Sequence, residues 1–290
     1  MIKTKLLAAG LLVSLLSACQ QSVKQPEPQA GNSLARSAHI ESLHDNQPLS
    51  AAALVEKLSA EPIVIVGEKH DNIDHHRIEQ WLISQLANRR QQGSVLMEMI
   101  ASDQQDAVNQ LQQELKTAPD MGEQRLQQRL QWNKGWPWPL YGGVVTTALK
   151  GNSPLLAANL SASEMKQSYQ SKQLPAGELS AQPPVRDALS TLIVTLHGGQ
   201  IDDDRLASML AVQQNRDRFM AQQLLAAPKP ALLIAGGYHA ARNLGVPLHL
   251  SDLDKHASPC VLMLAEQGAK ITADQADYVW YVAAISPGNH

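Results

Sequence analysis

Two segments of the chain end alike. "IVIVGEKH" (63–70) and "LLIAGGYH" (232–239) each run from an apolar stretch through glycine and two further residues to histidine. Glycine lets the backbone turn sharply, so each imidazole, His70 and His239, arrives where a buried strand ends. A third apolar stretch, "SVLMEM" (94–99), brings Glu98 to the same edge. Two imidazoles and a carboxylate meeting at one edge are a donor set for a divalent metal or for acid/base work. Glu68, two residues before His70, adds a candidate base.

Further chemistry clusters nearby in sequence. His75 and His76 follow within six residues of His70. His75 shares helical spacing with Ile78 and Leu82, whereas His76 points elsewhere. Two placements follow: a core His75 with a surface His76, or one of the pair turned to the strand-end edge. "GWPWPLY" (135–141) sets Trp136 and Trp138 beside Tyr141, and three of the five tryptophans fall between 132 and 138. Rings flanked by proline make either a rigid wall for a flat ligand or an anchor to the core. A phenolate also serves as a haem-iron ligand in some proteins, which makes Tyr141 a candidate, and Tyr238 is a second tyrosine inside the 236–239 motif. "QQNRDRFMAQQL" (213–224) places Arg216 and Asp217 mid-helix, with Arg216 as the partner of a carboxylate such as a haem propionate, or both as part of a surface charge network.

The elements that hold these residues alternate. The apolar runs at 62–66, 94–99, 154–159 and 230–237 read as strands, and "PLHL" (247–250), "CVLMLAE" (260–266) and "DYVWYVA" (277–283) as final ones. Ile78, Trp81, Leu82 and Leu86 have helical spacing, "GGVVTTALK" begins a helix, and helices are also expected at 103–116, 123–131, 184–197 and 202–227. Strands that are apolar throughout, separated by helices, imply an α/β fold: a mostly parallel sheet covered by helices on both faces. Ligands of such sheets bind outside the carboxyl ends of the strands. No GxGxxG, Walker A, HExxH, CxxC or GxSxG motif is present, so nucleotide, zinc-protease and serine-hydrolase readings lack support.

The ends and the composition place the protein. The 290 residues carry a formal charge of −3 and no Lys/Arg run, which argues against nucleic acid as a partner. "MIKTKLLAAGLLVSLLSAC" has a basic start and a short apolar core, the pattern of a secretory signal. Its "LSAC" resembles the bacterial lipobox. That resemblance implies a signal peptide over 1–18, an acylated Cys19 as the first mature residue, and anchoring by two or three acyl chains. Gln20 after the cysteine favours the outer membrane of the cell envelope. Residues 19–48 are rich in Gln, Ser, Pro and Asn and are expected to be a flexible tether. One domain is expected over 49–290, its first helix capped by Ser50. With Cys19 lipidated, Cys260 has no disulfide partner and reads as a small buried hydrophobe.

"GEKHDNIDHHRIEQ", "VLMEM", "GWPWPLY", "LLAANLS", "QQNRDRFMA" and "GGYHAARNLGVP", in this order, resemble the ChaN-type haem-binding lipoproteins of the Tiki superfamily. That superfamily also includes metal-dependent proteases and is akin to the erythromycin esterases. The resemblance runs from Ser50 to Leu264. It implies haem binding in iron acquisition, a homodimer enclosing two haems face to face, and an outer-membrane haem or iron receptor as partner. His70, His239 and Glu98 match superfamily positions, and His75, His76 and Tyr141 match ChaN-type ones. Trp136, Trp138 and Tyr238 complete the candidate pocket, with the iron ligand left open among Tyr141, His70, His75, His76 and His239.

Three readings follow. The first is a membrane-anchored lipoprotein that holds haem at the strand-end crevice. The second is a hydrolase using Glu68, His70, Glu98 and His239 with a divalent metal such as Zn or Mn. The third is a lipoprotein scaffold whose pocket is vestigial.

Overall fold

The computed structural model describes residues 29–36 and 38–284. The expected signal peptide, Cys19 and the first part of the expected tether lie outside them. Among the described residues no helix is long and apolar enough to cross a membrane.

The described strands form one eight-stranded sheet: β1 (His39–Ser42), β2 (Gln47–Leu49), β3 (Ile63–Glu68), β4 (Ser94–Ala101), β5 (Leu155–Asn159), β6 (Ala231–Gly236), β7 (Cys260–Glu266) and β8 (Tyr278–Val282), in the order β2-β1-β8-β7-β3-β6-β4-β5. From β8 to β5 every neighbour is parallel, while β1 runs antiparallel to β8 and β2 antiparallel to β1. Every residue of β3 and β6 is buried, as it must be when helices cover both faces. Successive side chains go to opposite faces. Val64 and Val66 enter a core with α2 (Ala51–Ser59), α3 (Ile73–Arg89), α4 (Gln105–Thr117), α5 (Glu123–Leu130) and α6 (Trp138–Lys150). Ile63 and Ile65 enter a second core with α9 (Asp203–Ala226), α10 (Gly237–Ala240) and α11 (Val246–Leu253). The expected α/β architecture is therefore present.

The strand order creates the crevice. The chain leaves β3 through α3 on one face and enters β4 one position away; much later β6 fills the gap and leaves through α10 on the other face. Adjacent strands whose following helices diverge mark a switch point, where a cleft opens at the carboxyl ends. Glu68, Glu98 and the Gly236–His239 turn are thereby neighbours.

Three expectations need correction. The sheet begins inside the expected tether: β1 turns Ile40 and Ser42 inward and pairs with β8, covering what would be a bare edge. Ser50 nonetheless caps α2 as expected, its Oγ accepting from Ala53 N–H at 3.1 Å. "PLHL" is the first part of α11 and not a strand, because Pro247 sits in the first helical turn, where its missing N–H costs nothing. The Trp/Pro segment is likewise partly helical: α6 starts at Trp138 and places Tyr141 in its first turns. Helix α1 (Gln29–Arg36), α7 (Ala162–Ser171) and α8 (Pro183–Leu196) complete the described helices. Cys260 is a buried free thiol in β7, as its sequence context implied.

Gly67 of β3 sits where the β6–α10 turn crosses the sheet. A Cβ there would lie 2.6 Å from Ala240 Cβ and 3.2 Å from the Gly237 backbone. Gly67→Ala should therefore destabilise the fold by about 1–3 kcal/mol, the usual cost of overpacking, read as a lower urea midpoint at an unchanged slope.

Candidate crevice at the strand ends

At the end of β3, Glu68 is buried and held from three sides. His70 Nδ1 donates to its Oε1 at 2.5 Å, the Tyr141 hydroxyl donates to the same oxygen at 2.9 Å, and His76 Nε2 lies 3.3 Å from Oε2. Burial alone would push this carboxyl up, but His70 and His76 outweigh it and hold Glu68 below the usual carboxylate range. His70 answers in kind: burial pulls it down, yet the hydrogen bond and charge of Glu68 hold it above an ordinary histidine. Burial, then the charge of Glu68, pushes the Tyr141 phenol far above its ordinary value, so it stays protonated. His75 accepts from Lys69 N–H at 2.9 Å, and burial lowers it to about 4, which keeps it neutral. The start of α3 is fixed by Asn72, whose side chain accepts from Asp74 and His75 N–H.

The second half of the site stands at the ends of β4 and β6. Glu98 Oε2 accepts from Gly236 N–H at 2.6 Å and Oε1 from Arg216 Nη2 at 2.5 Å. His239 Nε2 and His70 Nε2 approach Oε1 at 3.6 and 3.9 Å. Burial raises this carboxyl; His239, Arg216, His70 and the Gly236 N–H together bring it down to about 2. Asn159 bridges the group, accepting from Arg216 Nε at 3.0 Å and donating to the Glu98 carbonyl at 2.9 Å. Behind His239, Asp217 Oδ1 pairs with Nδ1 at 2.6 Å, and Gln213 Nε2 lies 3.1 Å from the same nitrogen. Gly236 permits the crowding, since a Cβ there would stand 2.8 Å from the His70 ring.

The residues singled out in the sequence do not all meet. Glu68, His70, Glu98 and His239 meet as a polar floor, joined by Arg216, Asp217, His76 and Tyr141. His76 is buried against Glu68, so of the two placements the one that turns a histidine to the strand end holds. Trp136 is half-buried, 4.9 Å edge-on from His70 and 5.5 Å from Tyr141. Trp138 instead packs on Trp132 at 5.4 Å and belongs to the core. Tyr238 is 50% exposed on α10, and no hydrogen bond to its hydroxyl is present among the described residues. Sequence reasoning missed Asn159, Gln213 and Glu79. The last is fully buried on α3 with neither carboxylate oxygen hydrogen-bonded, although its register with His75, Leu82 and Leu86 was a readable signal. Among the described residues no three His, Cys, Asp or Glu side chains are arranged to hold a metal ion.

Residues 54–250 match the haem-binding uptake family of the Tiki superfamily, ChaN. The chain belongs to this family. Among solved structures, ChaN of Campylobacter jejuni, described by its cofacial haem binding, superposes with a TM-score of 0.77 at 27% identity, over 84% of this chain and 96% of that one. An erythromycin esterase in its open conformation has a TM-score of 0.47 at 10% identity, over 83% and 82% of the two chains. A Bacillus cereus protein has 0.41 at 8%, over 83% and 76%. A search of curated proteins found no match.

The depressed pKa of Glu98 has a measurable sign. Its stabilisation is present above the ordinary value of 4.5 and is lost as pH falls toward about 2. That loss is on the order of 3 kcal/mol. Chemical denaturation of Glu98→Gln at several pH values should show a flatter stability profile in this window than wild type, and lower stability at neutral pH, where Arg216 loses its counter-charge.

Proposed function

We propose that this chain binds haem at the mouth of the crevice with Tyr238 as the iron ligand, and serves haem-iron uptake as an envelope lipoprotein anchored through Cys19. The observation that carries this reading is the phenol of Tyr238, half-exposed and with no hydrogen bond among the described residues, one residue before the buried His239. Phenolate is an established haem-iron ligand. The other candidates are occupied: Tyr141, His75, His76 and His239 are buried, and the first and last of these hydrogen-bond to carboxylates. His70 keeps 45% of its side chain exposed, yet its Nδ1 is held by Glu68 and its Nε2 faces Glu98. The donor set fits haem: an open phenol for the iron and the ring of Trp136 beside His70 as an apolar neighbour. Haem, when bound, would supply the iron chemistry; the residues here bind and orient it. Arg216 is committed to Glu98 and holds the floor, not a propionate. Membership of the haem-binding uptake family and likeness to a ChaN with cofacial haems support the reading. The proposal extends to a homodimer in which two copies bring their haems together, and to an outer-membrane receptor as the partner in uptake.

A second reading has its own observation. His239 carries a carboxylate on Nδ1 and turns Nε2 toward Glu98, the arrangement of an oriented general base. It makes a hydrolase using Glu68, His70, Glu98 and His239 the competing account, and ester hydrolysis abolished by His239→Ala would favour it.

Haem titration of Tyr238→Phe decides the main reading. We expect affinity to fall at least about tenfold, or roughly 1.4 kcal/mol, with loss of the ferric-phenolate absorption, while Tyr141→Phe keeps both. Unchanged binding in Tyr238→Phe would remove it from the ligand set. For the anchor, Cys19→Ser should leave the protein unacylated and in the soluble fraction; membrane retention of that variant would refute the lipobox reading.

A further inference from the structure

Among the described residues the sheet has two edges, and they are closed by different means. β2 is three residues long and contains Pro48, both ordinary ways to keep a further strand from adding. β5, "LLAAN", has five residues and neither proline nor charge. A bare apolar edge of that kind is a template for a strand from another chain. Two side chains of α4 lie on it instead. Gln105 Oε1 accepts from Ala157 N–H at 2.6 Å, and its Nε2 donates to the Leu155 carbonyl at 3.0 Å. Gln112 Oε1 accepts from Leu155 N–H at 3.0 Å, and its Nε2 donates to the Ser153 carbonyl at 3.1 Å.

The register of these four bonds is that of a strand. In a parallel pair, one residue donates to the carbonyl before its partner and accepts from the N–H after it. The Gln105 amide does this around Leu156, and the Gln112 amide does it around Pro154. Two side-chain amides thus take the hydrogen bonds that alternate residues of a further parallel strand would take. They are held in place. Gln105 Nε2 also donates to Asn109 Oδ1 at 2.9 Å, and α4 is fixed to the core through Val108, Leu111 and Leu115. The glutamine-rich character of this helix therefore has a use that a merely solvated face would not have.

We propose that Gln105 and Gln112 are an autoinhibitory contact: they occupy the strand-acceptor edge of β5 and keep a second copy of this chain from adding its own β5 there. The surface they close fits an extended apolar strand. A second copy supplies one of matching length, and two such edges meeting around a two-fold axis satisfy each other. The inference does not depend on the haem reading, since neither glutamine takes part in the crevice.

The test uses the full chain without haem, so that haem-linked association does not enter. Gln105→Ala/Gln112→Ala should gain a concentration-dependent species of doubled mass in sedimentation velocity. It should also bind a synthetic peptide of residues 153–160, "SPLLAANL", at least about tenfold more tightly than wild type does. Hydrogen exchange of wild type alone reads the contact directly. The outward N–H groups of Leu155 and Ala157 should exchange at least about tenfold more slowly than unstructured amides, a result that stands even where the variant folds poorly. Unprotected Leu155 and Ala157 amides in wild type would overturn the proposal. So would a folded double variant that keeps the wild-type mass and ignores the peptide.

Discussion

Two carboxylates buried where parallel strands end, Glu68 and Glu98, set the terms for everything above the sheet. A buried carboxylate left alone costs several kcal/mol or takes up a proton. Here each is matched by side chains from elements far apart in sequence: His76 of α3 and Tyr141 of α6 on Glu68, and Arg216 of α9 and the Gly236 turn on Glu98. His70 stands between them, bonded to Glu68 and facing Glu98. Neutralising two groups thus fixes three helices and a turn against the strand ends. The geometry of the site and the stability of this edge of the fold are one constraint.

That constraint separates a floor from a rim. The floor is closed, ion-paired and hydrogen-bonded, so its imidazoles have little freedom to reach a ligand. Outside the floor, His70 keeps part of its ring exposed beside Trp136, and Tyr238 stands exposed on α10. A large planar ligand with a cationic centre suits this division. In the proposed haem-binding reading, Tyr238 would hold the iron and Trp136 would offer the ring system an apolar neighbour.

Much of this was legible from the sequence because it is local. A buried strand followed by glycine and histidine announces itself, and finding it at 63–70 and 232–239 located both halves of the crevice. All-apolar strands between helices gave the parallel sheet. What escaped depends on contacts distant in sequence. "HIES" is too short to read as a strand until β8 is beside it. "PLHL" has strand-like alternation, but Gly245 and Pro247 turn it into the start of a helix. Tyr141 looked like a free phenol because nothing in "GWPWPLY" says that Glu68, 73 residues earlier, takes its hydroxyl. Glu79 was hidden by the habit of reading glutamate on a helix as solvated; its place on the stripe of His75, Leu82 and Leu86 said otherwise.

The most direct test of the central claim, an open phenol above a closed ionic floor, is the resonance Raman spectrum of ferric haem bound to the full chain at neutral pH. The account predicts iron–phenolate vibrations and a high-spin iron. A low-spin spectrum with two imidazole ligands would contradict it. That result would mean that His70 or His239 leaves its carboxylate to reach the metal, and that the floor is not fixed by its ion pairs.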